Sequence, residues 1–166
     1  MNRPPGQKPQ QPQQGYQQKS KPPGYSPRPT QKGKLLEVFR KGLDAQPELM
    51  DLAQSFAQEL VNGKIQVKHH QLRLLLDLVI RVKQSHKDRR ENPLSSTSRG
   101  RLAVMRPRLA YMAARERGLV SLQSELDFLL KDKEAFKNGS DLDRLYEFVA
   151  AVVAYHRYEE TNKQNF

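Results

Sequence analysis

The chain changes character at residue 34, and this change limits what can fold. Residues 1–34 contain 8 of the 11 prolines, 8 glutamines and 7 basic residues, with no acidic residue and almost no aliphatic side chain. Proline fixes φ and lacks a backbone N–H, and a segment so poor in apolar residues cannot bury a core. We therefore predict a disordered Pro/Gln-rich basic tail over residues 1–34 and one folded domain over residues 35–166.

From residue 35 onward, apolar side chains recur every three or four positions, which is the spacing of one face of an α-helix. No strand-like alternation appears, so the predicted fold class is all-α, a compact bundle of about five helices. The pattern predicts a short helical turn over 35–45 and helices that begin near Pro47, run over 67–87, 101–117 and 119–136, and begin at Ser140.

Local signals mark where these helices begin and end. A stretch rich in Arg and Ser predicts a loop over 88–100, and Pro107 either kinks the third helix or begins it. Ser140, with Asp143 three residues on, predicts a capping box at the start of the last helix.

The charge of the chain is concentrated in one segment. The formal charge is +11, and residues 81–117 hold 11 basic and 3 acidic residues, whereas residues 118–166 hold 6 basic and 9 acidic ones. A basic block inside a folded segment suggests a polyanionic partner, most simply nucleic acid, and a solvated basic face is the alternative. On a helical wheel of residues 101–117, one edge carries Arg101, Arg108 and Arg115 and the other carries Arg106 and Arg117.

Several classes of protein are disfavoured. The absence of cysteine excludes disulfides and thiolate metal sites. The longest apolar run, 148–155, is too short to cross a bilayer, and no apolar secretory segment precedes the domain. We therefore expect a cytoplasmic protein without membrane contact.

No arrangement of residues predicts catalysis, a cofactor or a metal site. His69 and His70 are adjacent, so on a helix they diverge by about 100° and cannot easily share a metal. His156 lies in an apolar arc and is interpreted as a buried histidine bonded to a neighbouring helix, with a catalytic base as the alternative. Tyr111, Tyr155 and Tyr158 could stack on bases or serve as core aromatics.

Two segments resemble a known family. They are RPRLAYMAAR at residues 106–115 and FVAAVVAYHRY at residues 148–158, with a further QLR triplet at residues 71–73. Together, in this order, they resemble the small subunit of type III-A CRISPR effector complexes, the Csm small subunit, over about residues 47–160. The Pro/Gln-rich tail and the Arg/Ser-rich 88–100 segment depart from the family pattern.

The resemblance implies a helical-bundle subunit, without catalytic activity, of an RNA-guided antiviral complex. Several copies would stack along the guide RNA–target RNA duplex and contact its backbone, beside backbone, large and capping subunits that carry the other activities. The candidate RNA-binding residues are Lys68, Arg73, Arg81, Arg101, Arg106, Arg108, Arg115 and Arg117, with Tyr111, Tyr155 and His156 as motif support. For Arg115, an ion pair with a carboxylate such as Glu147 is the alternative.

Two other functions stay open at this stage. The first is a stand-alone helical nucleic-acid-binding protein, such as a regulator or a chaperone-like factor. The second is an enzyme that uses His156. Companion subunits and guide RNA on purification would favour the assembly subunit over both alternatives.

Overall fold

The structure is a computed structural model, and it describes residues 33–164. Within this range the chain forms six α-helices and two 3-10 turns, and no β-strand. The helices are α1 (Lys34–Arg40), α2 (Gln46–Asn62), α3 (His69–Gln84), α4 (Ser96–Arg115), α5 (Val120–Lys131) and α6 (Gly139–Gln164). The all-α prediction is confirmed, and the segment 35–45 forms α1 and a 3-10 turn. Residues 1–32 of the predicted disordered tail lie outside the described residues.

The long helix α6 is the centre of the bundle and packs against α2 and α3. Its side chains Leu145, Phe148 and Val152 are fully buried. The Phe148 ring meets the Phe56 ring of α2 edge-on, with centroids 6.1 Å apart. Helices α4 and α5 pack on each other, α4 also packs on α3, and α1 covers α5. The resulting single core leaves one side of the α3–α4 pair at the surface.

The α4 helix begins earlier than the sequence predicted. The Ser95 Oγ accepts a hydrogen bond from the Ser98 backbone N–H at 3.2 Å, and this cap starts the helix at Ser96, inside the predicted 88–100 loop. Pro107 lies within the helix rather than at its start. The predicted extension of α5 to residue 136 is also wrong, because Asp132 Oδ1 accepts the Glu134 N–H at 3.0 Å and forms a turn directly after Lys131.

The cap of α6 uses other residues than those predicted. The Asp141 carboxylate accepts the backbone N–H of Asn138 at 3.2 Å, and the Asn138 side chain accepts the N–H of Asp141 at 3.4 Å. The predicted box of Ser140 and Asp143 is therefore wrong. Asp143 instead forms ion pairs with Lys83, at 2.9 Å, and with Arg90, so it ties α6 to the end of α3 and to the following loop.

Two buried charges hold the short helix α1 at its two ends. Glu125 of α5 is 4% exposed and accepts the backbone N–H groups of Gly33 and Leu35 at 2.8 and 3.0 Å. Arg144 of α6 is 3% exposed and donates to the carbonyls of Phe39 and Val38 at 2.9 and 3.3 Å. A carboxylate at the N-terminus and a guanidinium at the C-terminus satisfy backbone groups that the helix itself leaves open, and both complement its dipole. Burial lowers the pKa of Arg144 from its usual value.

Candidate nucleic-acid interface

A groove between the exposed sides of α3 and α4 collects three of the arginines singled out in the sequence. We call it the arginine groove and define it by Arg81 of α3 and by Arg101 and Arg108 of α4. Arg81 and Arg108 also line the adjoining depression toward the end of α4. The Arg101 Nη1 donates to the Arg81 carbonyl at 3.3 Å, which holds one guanidinium across the groove.

The helical repeat explains why these arginines share one surface. Arg101 and Arg108 are seven residues apart, so they lie on the same side of α4 about two turns, or roughly 10.5 Å, from each other. The wheel edge predicted from the sequence therefore faces α3 across the groove. Asp77 lines the adjoining depression, and this one carboxylate beside three arginines leaves the two surfaces with an excess of positive charge.

Exposed apolar side chains line the groove and the adjoining depression. Leu74 of α3 and Val104 of α4 are about half exposed, and Tyr111 is 62% exposed. At the end of the groove, Arg115 donates to the Tyr111 hydroxyl at 3.3 Å, and its guanidinium lies 5.7 Å from the ring centroid. A phenol ring beside a guanidinium offers two flat surfaces on which a base or ribose can pack.

Part of the basic block is used within the fold. Arg106, on the opposite edge of α4, forms a 2.8 Å ion pair with Asp127 of α5, which also pairs with Lys131 at 2.6 Å. Partial burial pushes the pKa of Asp127 upward, but hydrogen bonds from Lys131 and Arg106 outweigh it and hold the pKa below its usual value. Arg106 therefore joins α4 to α5, whereas Arg108 is exposed in the groove.

The remaining predicted RNA-binding residues are exposed outside the groove lining. Lys68 precedes α3, Arg73 lies in its first half, and Arg117 lies in the 3-10 turn after α4. Arg115 has Tyr111 as its partner, whereas Glu147, the carboxylate considered for it, accepts a hydrogen bond from Gln46 at 2.6 Å.

The motif at residues 148–158 serves the core. His156 is fully buried, and its Nε2 donates to the Val67 carbonyl at 2.9 Å. The interpretation of His156 as a buried, hydrogen-bonded histidine is confirmed, but its acceptor lies in the connection between α2 and α3 and not in a neighbouring helix as predicted. Burial lowers the pKa of His156 below 6.5, against the opposing effect of Glu160. Tyr155 packs partly buried against the core.

Two apolar residues of this surface, Leu74 and Val104, were not among the residues predicted from the sequence. Both lie outside the main apolar stripes of their helices, and this position in the sequence could have predicted that they are exposed. An apolar residue off the buried stripe of an amphipathic helix stays at the surface unless another element covers it.

The fold and the surface define a small all-α domain that displays an arginine-lined groove between two of its helices. The chain belongs to the Csm2 Type III-A family, whose model matches residues 44–162. It is therefore a small structural subunit of a type III-A CRISPR effector complex and associates with the other subunits of that complex.

The family match confirms the resemblance drawn from the sequence. It includes the segments 71–73, 106–115 and 148–158 that carried this resemblance, and it also spans the 88–100 segment. Comparisons with curated proteins and with solved structures found no match. Within residues 33–164, no helix is long and apolar enough to cross a membrane.

Proposed function

We propose that the chain is a non-catalytic, RNA-binding assembly subunit whose arginine groove contacts the backbone of the guide RNA–target RNA duplex. The observation that carries the proposal is the convergence of Arg81, Arg101 and Arg108 on one groove in a member of this family. Base pairing with the guide supplies sequence specificity, so the protein needs only to recognise backbone and duplex shape. Arginines around an apolar strip are suited to this task.

The chemistry of the groove matches a phosphate backbone. The planar guanidinium donates parallel hydrogen bonds to phosphate oxygens, and the bond from Arg101 to the Arg81 carbonyl orients one such group in advance. Exposed Lys68, Arg73 and Arg117 extend the basic surface as outer contacts. Arg106 has a structural role in its ion pair with Asp127, and Arg115 acts together with Tyr111.

In the proposed assembly, several copies stack along the duplex and contact each other and the backbone, large and capping subunits. The proposed location is the cytoplasm, where guide-loaded complexes meet invading transcripts. No catalytic residue is assigned. The complete burial of His156 and its bond to Val67 support a structural role over that of a base that reaches a substrate.

Affinity purification of the tagged chain from its host tests this function. We expect guide RNA and a constant set of larger subunits to co-purify with it. As a matched control, the same tag on a chain in which Arg81, Arg101 and Arg108 are alanine should recover less RNA. Purification of the chain with diverse cellular RNA or DNA and without partner subunits would instead indicate a stand-alone nucleic-acid-binding protein.

A further inference from the structure

Folding brings His69 of α3 next to His156 and Glu160 of α6, and all three side chains are of types that can bind a metal ion. His69 lies in the first turn of α3, and His156 and Glu160 lie one turn apart on α6. One donor atom from each of the three residues lies within 4.8 Å of the other two. The two imidazole rings are stacked, with centroids 6.1 Å apart and an angle of 28° between their planes.

One ring nitrogen of each histidine in this cluster lacks a hydrogen-bond partner. The Nδ1 atoms of His69 and His156 are both buried without a partner among residues 33–164. The Nε2 of His156 donates its proton to Val67, so its Nδ1 carries a lone pair in the neutral ring. The Nδ1 atom lies 3.7 Å from Glu160 Oε2, so two hydrogen-bond acceptors face each other without a donor between them. Buried polar atoms are normally satisfied, and a cation would satisfy all three residues at once.

We propose that His69, His156 and Glu160 bind a divalent transition-metal ion, with zinc as the best match. Two imidazole nitrogens and one carboxylate oxygen form an established zinc ligand set, completed by a water molecule. The Val67 carbonyl supplies the outer hydrogen bond that fixes the tautomer of a metal-binding histidine. The sequence predicted no metal because the neighbouring His70 cannot join His69, and the actual partner of His69 comes from α6.

Metal binding requires a small local contraction. Ligand atoms around a tetrahedral zinc ion lie about 3.4 Å apart, given bonds of about 2.0–2.1 Å. Glu160 is 24% exposed and can adjust its rotamer, while Arg157, which lies 3.5 Å from the same carboxylate oxygen, is 64% exposed and can move into solvent. The bound ion would link the start of α3 to the last turns of α6 and so stabilise the packing between these two helices.

Thermal unfolding of the full chain, with its purification tag removed and metal stripped by chelation, tests the proposal. Zinc chloride at about 100 times its dissociation constant should raise Tm by about 5–10 °C, whereas magnesium chloride should leave it unchanged. Cobalt(II) should bind at one ion per chain and give the visible absorption of a tetrahedral site with nitrogen and oxygen ligands.

Variants separate this site from casual binding to surface histidines. Glu160→Gln and His69→Gln should each abolish the zinc-dependent shift and the cobalt absorption. His70→Gln, at the exposed neighbouring position, should retain both. If His69→Gln fails to fold, Glu160→Gln decides the question, since its side chain is partly exposed. A wild-type chain without a zinc-dependent shift, or an equal shift in Glu160→Gln, would overturn the proposal.

Discussion

Replacing Arg81, Arg101 and Arg108 together with alanine is expected to weaken binding to a guide RNA–target RNA duplex by about two to three orders of magnitude. Each lost charged hydrogen bond to phosphate should cost about 1–1.5 kcal/mol, near a factor of ten in affinity. The slope of log affinity against log salt should also become shallower by about one for each lost contact. Fluorescence-anisotropy titrations at several salt concentrations measure both quantities.

A control with the same change of charge separates the groove from overall electrostatics. Lys34, Lys133 and Lys137 are exposed and lie outside the arginine groove, so their triple alanine variant also loses three positive charges. We expect it to lower affinity much less than the groove variant, with circular dichroism showing that both remain helical. Equal losses in the two triple variants would mean that general charge, and not this surface, attracts the RNA.

The second large effect concerns stability. Arg144→Met should lower the free energy of unfolding by about 2–4 kcal/mol, because it removes two buried, charge-assisted hydrogen bonds to the carbonyls of Val38 and Phe39. The Phe39 carbonyl keeps the backbone N–H of Gly42 as a donor, at 3.1 Å. The Arg144 guanidinium also lies 4.5 Å from the Phe39 ring centroid, so the expected loss includes this cation–π contact, while methionine retains an unbranched apolar side chain at the site. Urea unfolding followed by circular dichroism measures this change.

Arg40 provides the matched control for Arg144. It also contacts Asp132 through a guanidinium, at 3.0 Å, but its side chain is 64% exposed. An exposed ion pair contributes about 0–1 kcal/mol, so Arg40→Ala should have a small effect. If Arg144→Met lowered the free energy of unfolding as little as Arg40→Ala, the hydrogen bonds from Arg144 to α1 would not stabilise the fold as we describe.

The helices were predictable because their stability depends on a periodic apolar face that the sequence displays directly. Their ends were less predictable, since caps compete with long-range partners. Asp143 has the spacing of a capping residue, yet it pairs with Lys83 and Arg90, which come from another helix and a loop. Asp141, two residues earlier, forms the cap with Asn138 instead.

The candidate site shows the same division between local and long-range information. The seven-residue spacing of Arg101 and Arg108 placed them on one edge of a helix, but only the packing of α3 on α4 brought Arg81 to that edge. Arg106 looked equivalent by composition and differs because Asp127 lies opposite it. The contact between His69 and His156 depends on the crossing of α3 and α6, which no local pattern encodes.

Site-specific photo-crosslinking within the assembled effector complex tests the central claim most directly. A benzophenone amino acid would replace Val104, which is 51% exposed in the arginine groove, or Phe128, which is 46% exposed beside α1. Our account predicts that position 104 crosslinks to guide or target RNA when target is bound, and that position 128 does not. Crosslinks from position 104 to protein subunits alone, with RNA captured at position 128, would contradict it.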